Sequence, residues 1–324
     1  MKNIFYFYNG RSALNFILES LNLGIDHEIL YPEFTCDVLF QYRKKYRYDF
    51  YKTNNDFSFN FNLIKKKITN NTKVVILINF FGIIQNTKKI YNFCKKKKIF
   101  LVIDDCHTFY NPKKKLSYDC DFKFFSPGKV IPELGFGGIL IDYNNVIHKN
   151  ENFRICKSQN TKLFLKRFVK STILYKTFKS LKKRPKYENP NFFRSKYIVK
   201  RCYLNKKDQN IINNFDYIAQ KKISHQNFKF WTRVSKELNV KPLINYKFIK
   251  HGIPLYYVAK CRNKLHAKKI FDFGWRHNIE ITSWPTLNKK MKKKKDVINY
   301  WNKLVFFPNI YKINFDNKKI SWKI

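Results

Sequence analysis

The chain has 324 residues, 44% of them hydrophobic and 18% aromatic, which allows one large domain plus a smaller one and excludes a disordered protein. Its 66 basic residues against 22 acidic ones give a formal net charge of +44 and raise nucleic acid as a partner. Only 11 of the 66 are arginine, and the lysines run through the whole chain beside abundant Asn, Ile, Phe and Tyr, so a biased composition accounts for the charge better than a nucleic-acid surface.

The first 145 residues alternate helical and strand signals, the pattern of an α/β domain with a largely parallel sheet. Gly10–Leu18 opens with glycine and serine and continues with apolar residues three and four apart, which predicts a helix. Glu28–Tyr31 predicts a short strand stopped by Pro32, and the apolar run Val74–Gly82 predicts a strand buried on both faces. A helix over Lys88–Lys97, a strand over 98–104 and a strand over Gly137–Ile141 follow. Residues 157–206 carry apolar residues at helical spacing among Lys and Arg; a helix docked on its own domain or on a second subunit is preferred to one lying on an anionic membrane. Beyond it come a helix over Asp208–Leu238, a strand over Pro254–Val258, a helix over His266–Phe273 and a strand over Ile279–Ile281. The run Lys289–Lys295 reads as a solvated loop.

The seven cysteines are dispersed, odd in number and without a CxxC pair, which predicts reduced thiols in a cytoplasmic protein and neither a zinc framework nor a disulfide scaffold. Met1–Phe5 has no signal-peptide pattern, and no apolar stretch reaches the 18 or so residues that span a bilayer.

The chemistry concentrates in two places. The apolar run Ile99–Ile103 ends abruptly in Asp104-Asp105-Cys106-His107, and Lys129 stands in Phe124-Phe125-Ser126-Pro127-Gly128-Lys129 with Gly137-Gly138 soon after. A carboxylate at the end of a buried strand, followed by a lysine in a Ser/Gly loop, is how a pyridoxal phosphate (PLP) site is built. The carboxylate keeps the pyridinium nitrogen protonated and the amine forms a Schiff base with the aldehyde. The bland alternatives are a solvated lysine and a strand-end carboxylate that caps a turn.

These motifs, in this order, resemble the DegT/DnrJ/StrS sugar aminotransferases, and the resemblance runs from Gly10-Arg11-Ser12-Ala13-Leu14 and Tyr31-Pro32-Glu33-Phe34-Thr35-Cys36 to Gly252–Tyr256, Ser283-Trp284-Pro285 and Phe306-Phe307-Pro308. It implies a fold-type I PLP-dependent transferase, with a large α/β domain at 1–210 and a small α+β domain at 211–324. Lys129 takes the Schiff-base position and shuttles the proton. Asp105 pairs with the pyridine nitrogen, with Asp104 as its rival by a one-residue shift. His107 reaches the phenolic oxygen once a one-residue deletion is allowed. Gly10, Arg11 and Ser12 receive the phosphate at a helix start, Ser126 adds a hydroxyl, and Phe34 and Cys36 lie by the ring.

The chain departs from the family pattern in three ways. Cys36 stands where many members have a stacking aromatic, Phe124 where they have a serine, and no Gly-x-Asn-x-Arg segment is found. The implied activity is amination of a keto sugar, nucleotide-linked, for polysaccharide or lipopolysaccharide synthesis, with an amino acid as donor and a homodimer as the working unit. Two alternatives stay open: a sugar dehydratase-like enzyme on the same scaffold, against which Lys129 counts, and a non-catalytic basic scaffold for nucleic acid or anionic membrane.

Overall fold

The computed structural model describes residues 2–40, 46–110, 119–131, 133–134, 136–147, 153–156, 187, 201–244, 252–283 and 287–311. Most of the basic segment 157–206, and Trp284-Pro285, lie outside the described residues.

Fourteen strands are described. In chain order they are β1 (Asn3–Phe7), β2 (Glu28–Pro32), β3 (Arg47–Tyr51), β4 (Thr72–Ile78), β5 (Phe100–Asp104), β6 (Thr108–Phe109), β7 (Phe122–Phe125), β8 (Gly138–Asp142), β9 (Arg154–Ile155), β10 (Cys202–Tyr203), β11 (Lys241–Pro242), β12 (Ile253–Pro254), β13 (Tyr256–Lys260) and β14 (Leu304–Pro308). Nine form one sheet in the order β3-β2-β4-β5-β7-β8-β1-β10-β9. The neighbours from β3 through β7 are parallel; β8 runs antiparallel to both β7 and β1, so β1 keeps the common direction, and β10 is antiparallel to β1. β4 and β5 hold valine, isoleucine and leucine on both faces, as a sheet covered on both sides requires.

Helix α1 (Gly10–Ser20) covers one face. There its Ala13, Phe16 and Ile17 join Val102, Phe122, Phe124 and Leu140 in a single apolar cluster. Helices α2 (Phe61–Lys67) and α3 (Lys88–Lys96) cover the other, packing Ile64, Ile90 and Cys94 on Leu101 and Ile103. Each strand therefore deals alternate residues to opposite layers.

The C-terminal part carries α4 (Lys206–Asn213), α5 (Tyr217–Glu237) and α6 (Lys264–Arg276) around a second sheet, β11-β13-β14. β12 pairs with β6, Ile253 opposite Phe109, and so ties this part to the turn that follows Asp105.

Several expected elements differ. The run Val74–Gly82 is a strand only to Ile78, because Phe81 takes a left-handed φ of 59° and folds Phe80–Gly82 into a turn. The helix expected over 208–238 is two, since Asp216 caps a new start by accepting from Ala219 N at 3.0 Å. Ile279–Ile281 forms no strand; Ile281 is buried against Gly274 of α6, and Thr282 alone bridges Phe306. Lys289–Lys292 is a one-turn helix rather than a loop, capped by Asn288. Finally, the expectation of seven reduced thiols and no disulfide does not hold. Parallel pairing of β9 with β10 brings the Cα atoms of Cys156 and Cys202 to 5.4 Å, and the two form a disulfide across 46 residues of sequence, a separation that carries no motif. The other five cysteines form no disulfide.

Candidate active site

The C-terminal ends of β5 and β7 and the start of α1 converge. A Cβ placed on Gly10 would stand 2.6 Å from Cys106 Sγ and 3.6 Å from Ser126 Cβ, so only glycine lets the first residue of α1 approach both loops. Asn9, in extended conformation, caps the helix by accepting from Ser12 N at 2.9 Å and from Ser12 Oγ at 3.2 Å. Ser12 is 1% exposed, and its hydroxyl and amide are committed to that cap. The first turn holds no acidic residue, and Arg11 lies half-buried in it. The positive end of the helix dipole is thus left uncompensated within its own turn.

Lys129 ends a one-turn helix, Pro127–Lys129, that leaves β7 with proline at its first position. Buried Val130, Ile131 and Leu134 anchor the chain behind it, while the lysine itself is exposed. Its Nζ donates to Cys106 O at 3.0 Å. Ser126 Oγ donates to Gly137 O at 3.0 Å and ties the loop to the start of β8.

The two aspartates diverge. Asp104 continues the Val102 side of β5, the face that α1 covers. It is 3% exposed, and its Oδ1 accepts from Cys106 N at 2.8 Å. Burial pushes its carboxyl above the usual range, opposed by the Cys106 N–H and by the Lys129 charge. Asp105 turns to the opposite face and is fully buried. Its Oδ1 accepts from Asn79 Nδ2 at 2.5 Å, and its Oδ2 lies 2.7 Å from Lys123 Nζ.

The His107 ring lies against Phe80 and Phe81, and its Nδ1 accepts from Phe81 N at 3.2 Å. The left-handed turn at Phe81 aims that N–H, a strained backbone held at the site. Burial, followed by the Lys129 charge, holds the imidazole well below its ordinary pKa. A histidine depressed in the folded state binds its proton more readily when unfolded, so this residue makes the fold less stable as pH falls below about 6.5. We expect His107 to stay neutral across pH 6–8. An NMR titration of the ring nitrogens that gave an ordinary histidine midpoint would contradict this.

Of the residues singled out in the sequence, the structure brings together Gly10, Ser126, Lys129 and His107, with Arg11 and Ser12 in the adjoining helical turn. Asp104, the rival of Asp105, stands with them, and the structure adds Cys106. Phe34 packs elsewhere: it is 6% exposed, stacks on Trp301 at 5.9 Å and meets Phe57 at 4.9 Å. It connects to the His107 ring through Phe57 and then Phe80 or Phe81. Cys36 bridges Leu287. Asn79 and Lys123 were missed. Their signal was a polar side chain inside an apolar strand run, as in Phe122-Lys123-Phe124. Among the described residues no group of three or more metal-ligating side chains occurs, and no helix is long and apolar enough to cross a membrane.

The donor set fits pyridoxal phosphate at three points: an accessible amine, a buried carboxylate on the same face, and a helix start without acids for a dianion. It supplies no ring-stacking aromatic at Phe34, whose ring stacks on Trp301 and packs against Phe57.

Residues 1–153 match the family model Aminotransferase class-V. No curated protein matches the chain. Solved structures share the fold along nearly its whole length. Spr1654 of Streptococcus pneumoniae, assigned as a sugar aminotransferase and solved in PLP and PMP forms, superposes in its PLP form with a TM-score of 0.65 at 13% identity, over 97% of this chain and 83% of that one. Helicobacter pylori PseC, an aminotransferase in pseudoaminic acid biosynthesis, gives 0.61 at 15% identity over 94% and 81%. The aminotransferase TlmJ of Streptoalloteichus hindustanus gives 0.65 at 10% over 98% and 83%. The α/β architecture is thus that of fold-type I PLP-dependent enzymes, as the motif resemblance implied.

Proposed function

We infer that a chain with this fold, this family match over its first 153 residues and Lys129 on this loop is a PLP-dependent aminotransferase of the DegT/DnrJ/StrS kind. The observation that carries the reading is the meeting of Lys129 with Asp104, Cys106 and the start of α1 at the ends of parallel strands, where open α/β sheets bind ligands. Bound there, the pyridoxal ring supplies an electron sink for the carbanion left when an amino acid loses its α-proton.

The chain's own residues do the rest. Lys129 is the covalent anchor and then the proton carrier, its amine held by Cys106 O until it is needed. Asp104, on the α1 face, is the carboxylate for the ring nitrogen, so the role moves from Asp105, whose two oxygens are engaged by Asn79 and Lys123. Asp104-Asp105-Cys106-His107 then needs no deletion to set His107, a neutral donor through Nε2, toward the phenolic oxygen. Gly10 and Arg11 hold the phosphate at the start of α1, with Ser12 acting through its cap rather than as a direct ligand. Ser126 acts by fixing the loop.

The acceptor is a keto sugar, nucleotide-linked, and the donor an amino acid; the biosynthetic role stated for PseC supports the sugar. We further propose a homodimer, a division into domains at 1–210 and 211–324 supported by the second sheet, and a cytoplasmic site. In a reducing compartment the Cys156–Cys202 bond is expected to open.

The test is spectroscopic. Purified protein given PLP develops a visible absorption band; glutamate or another amino donor bleaches it, and a keto sugar restores it. Failure of the band to form ends the reading.

A further inference from the structure

Lys123 and Asp105 form a buried ion pair that the chemistry above does not use. Lys123 is 2% exposed and Asp105 0%, and their Nζ and Oδ2 atoms are 2.7 Å apart. The pair lies on the far face of the sheet from α1: Lys123 sits between Phe122 and Phe124, which face α1, and its amine stands 4.5 Å over the Tyr110 ring. An isolated buried charge is expensive and is retained only when partnered.

Asp105 is also the residue next to Asp104, and the backbone binds the two together. Asn79 N donates to Asp104 O at 3.0 Å, Asp105 N donates to Phe124 O at 2.9 Å, and the Asn79 side chain returns to Asp105 Oδ1. Thr108 N closes the turn on Asp105 O at 3.2 Å. The peptide that presents Asp104 is therefore clamped from the opposite layer.

We propose that Lys123 is a positioning residue for Asp104: by pairing with Asp105 it cancels the neighbouring negative charge and locks the turn that presents the ring-nitrogen carboxylate. This rests on the PLP reading of the site. Two adjacent carboxylates in a low-dielectric interior oppose each other's ionisation, and the Asp105 charge does push Asp104 upward. Among the described residues the other groups facing Asp104 are Lys129, Cys106 and Tyr31, of which Lys129 carries the positive charge. Those facing Asp105 besides Lys123, among the described residues, are Cys106, Cys120 and Tyr143, all held protonated by burial. Lys123 is thus the cation that can offset the second carboxylate from its own side.

The experiment measures PLP affinity by absorption as a function of pH, together with denaturant unfolding of the apo-protein, for wild type, Lys123→Met, Asp105→Asn and the double variant. In Lys123→Met the acid limb of binding moves to higher pH and affinity near neutrality falls about tenfold, because the bare Asp105 charge opposes Asp104. In Lys123→Met/Asp105→Asn, which removes both charges, the wild-type limb returns. Asp105→Asn strands the lysine and lowers apo-protein stability without raising the limb. If Lys123→Met fails to fold, the double variant decides: a wild-type limb supports the proposal, and a raised one overturns it. Wild-type protein that binds no PLP overturns the site reading itself. Wild-type protein that binds it, with a Lys123→Met profile superposed on its own, overturns this inference alone.

Discussion

Lys129→Ala is expected to lose the visible band with PLP and to transaminate about a thousandfold more slowly or worse, since one group supplies both covalent anchor and proton carrier. The fold should survive. Lys129 is exposed, and the substitution removes one hydrogen bond, to Cys106 O, worth about 1 kcal/mol. Near-wild-type unfolding with the band gone is the result that marks a chemical role. A variant that keeps both the band and turnover would remove Lys129 from the mechanism and leave the +44 chain with one more surface lysine.

Gly138→Ala should be the most damaging small substitution at the site. A Cβ there would stand 2.3 Å from both the carbonyl carbon and the oxygen of Asn9 and 2.8 Å from Gly10 N. All three are backbone atoms, so no side chain can swing aside, and β8 must part from the residues that start α1. We expect a loss on the order of 3 kcal/mol in denaturant unfolding. PLP affinity should fall further than stability alone explains, because the displaced atoms form the proposed phosphate end of the site. Unfolding within about 0.5 kcal/mol of wild type would mean that the approach of β8 to Asn9 is looser than these distances.

The runs at Thr72–Ile78 and Phe100–Asp104 announced themselves as buried strands because both faces are covered, and apolar residues fill both. The α1 start was legible as Gly-Arg-Ser before an apolar helix, yet its cap is Asn9, one residue earlier, to which the amide and hydroxyl of Ser12 both donate. Phe34 stood near the stacking position that Cys36 occupies, but its own ring stacks on Trp301, 267 residues away in sequence and invisible to a local reading. The Cys156–Cys202 bond escaped for the same reason: pairing of β9 with β10 sets it, not spacing.

The sequence by itself determined the α/β class, the strand-end carboxylates and the lysine loop that follows them, because periodicity and punctuation are local properties of the chain. It could not choose between Asp104 and Asp105. Consecutive residues at a strand end point to opposite layers. Which layer holds α1 and the amine, and which holds Lys123 and Asn79, depends on sheet order and helix placement. Those are contacts between segments far apart in the chain, and only the tertiary structure fixed them.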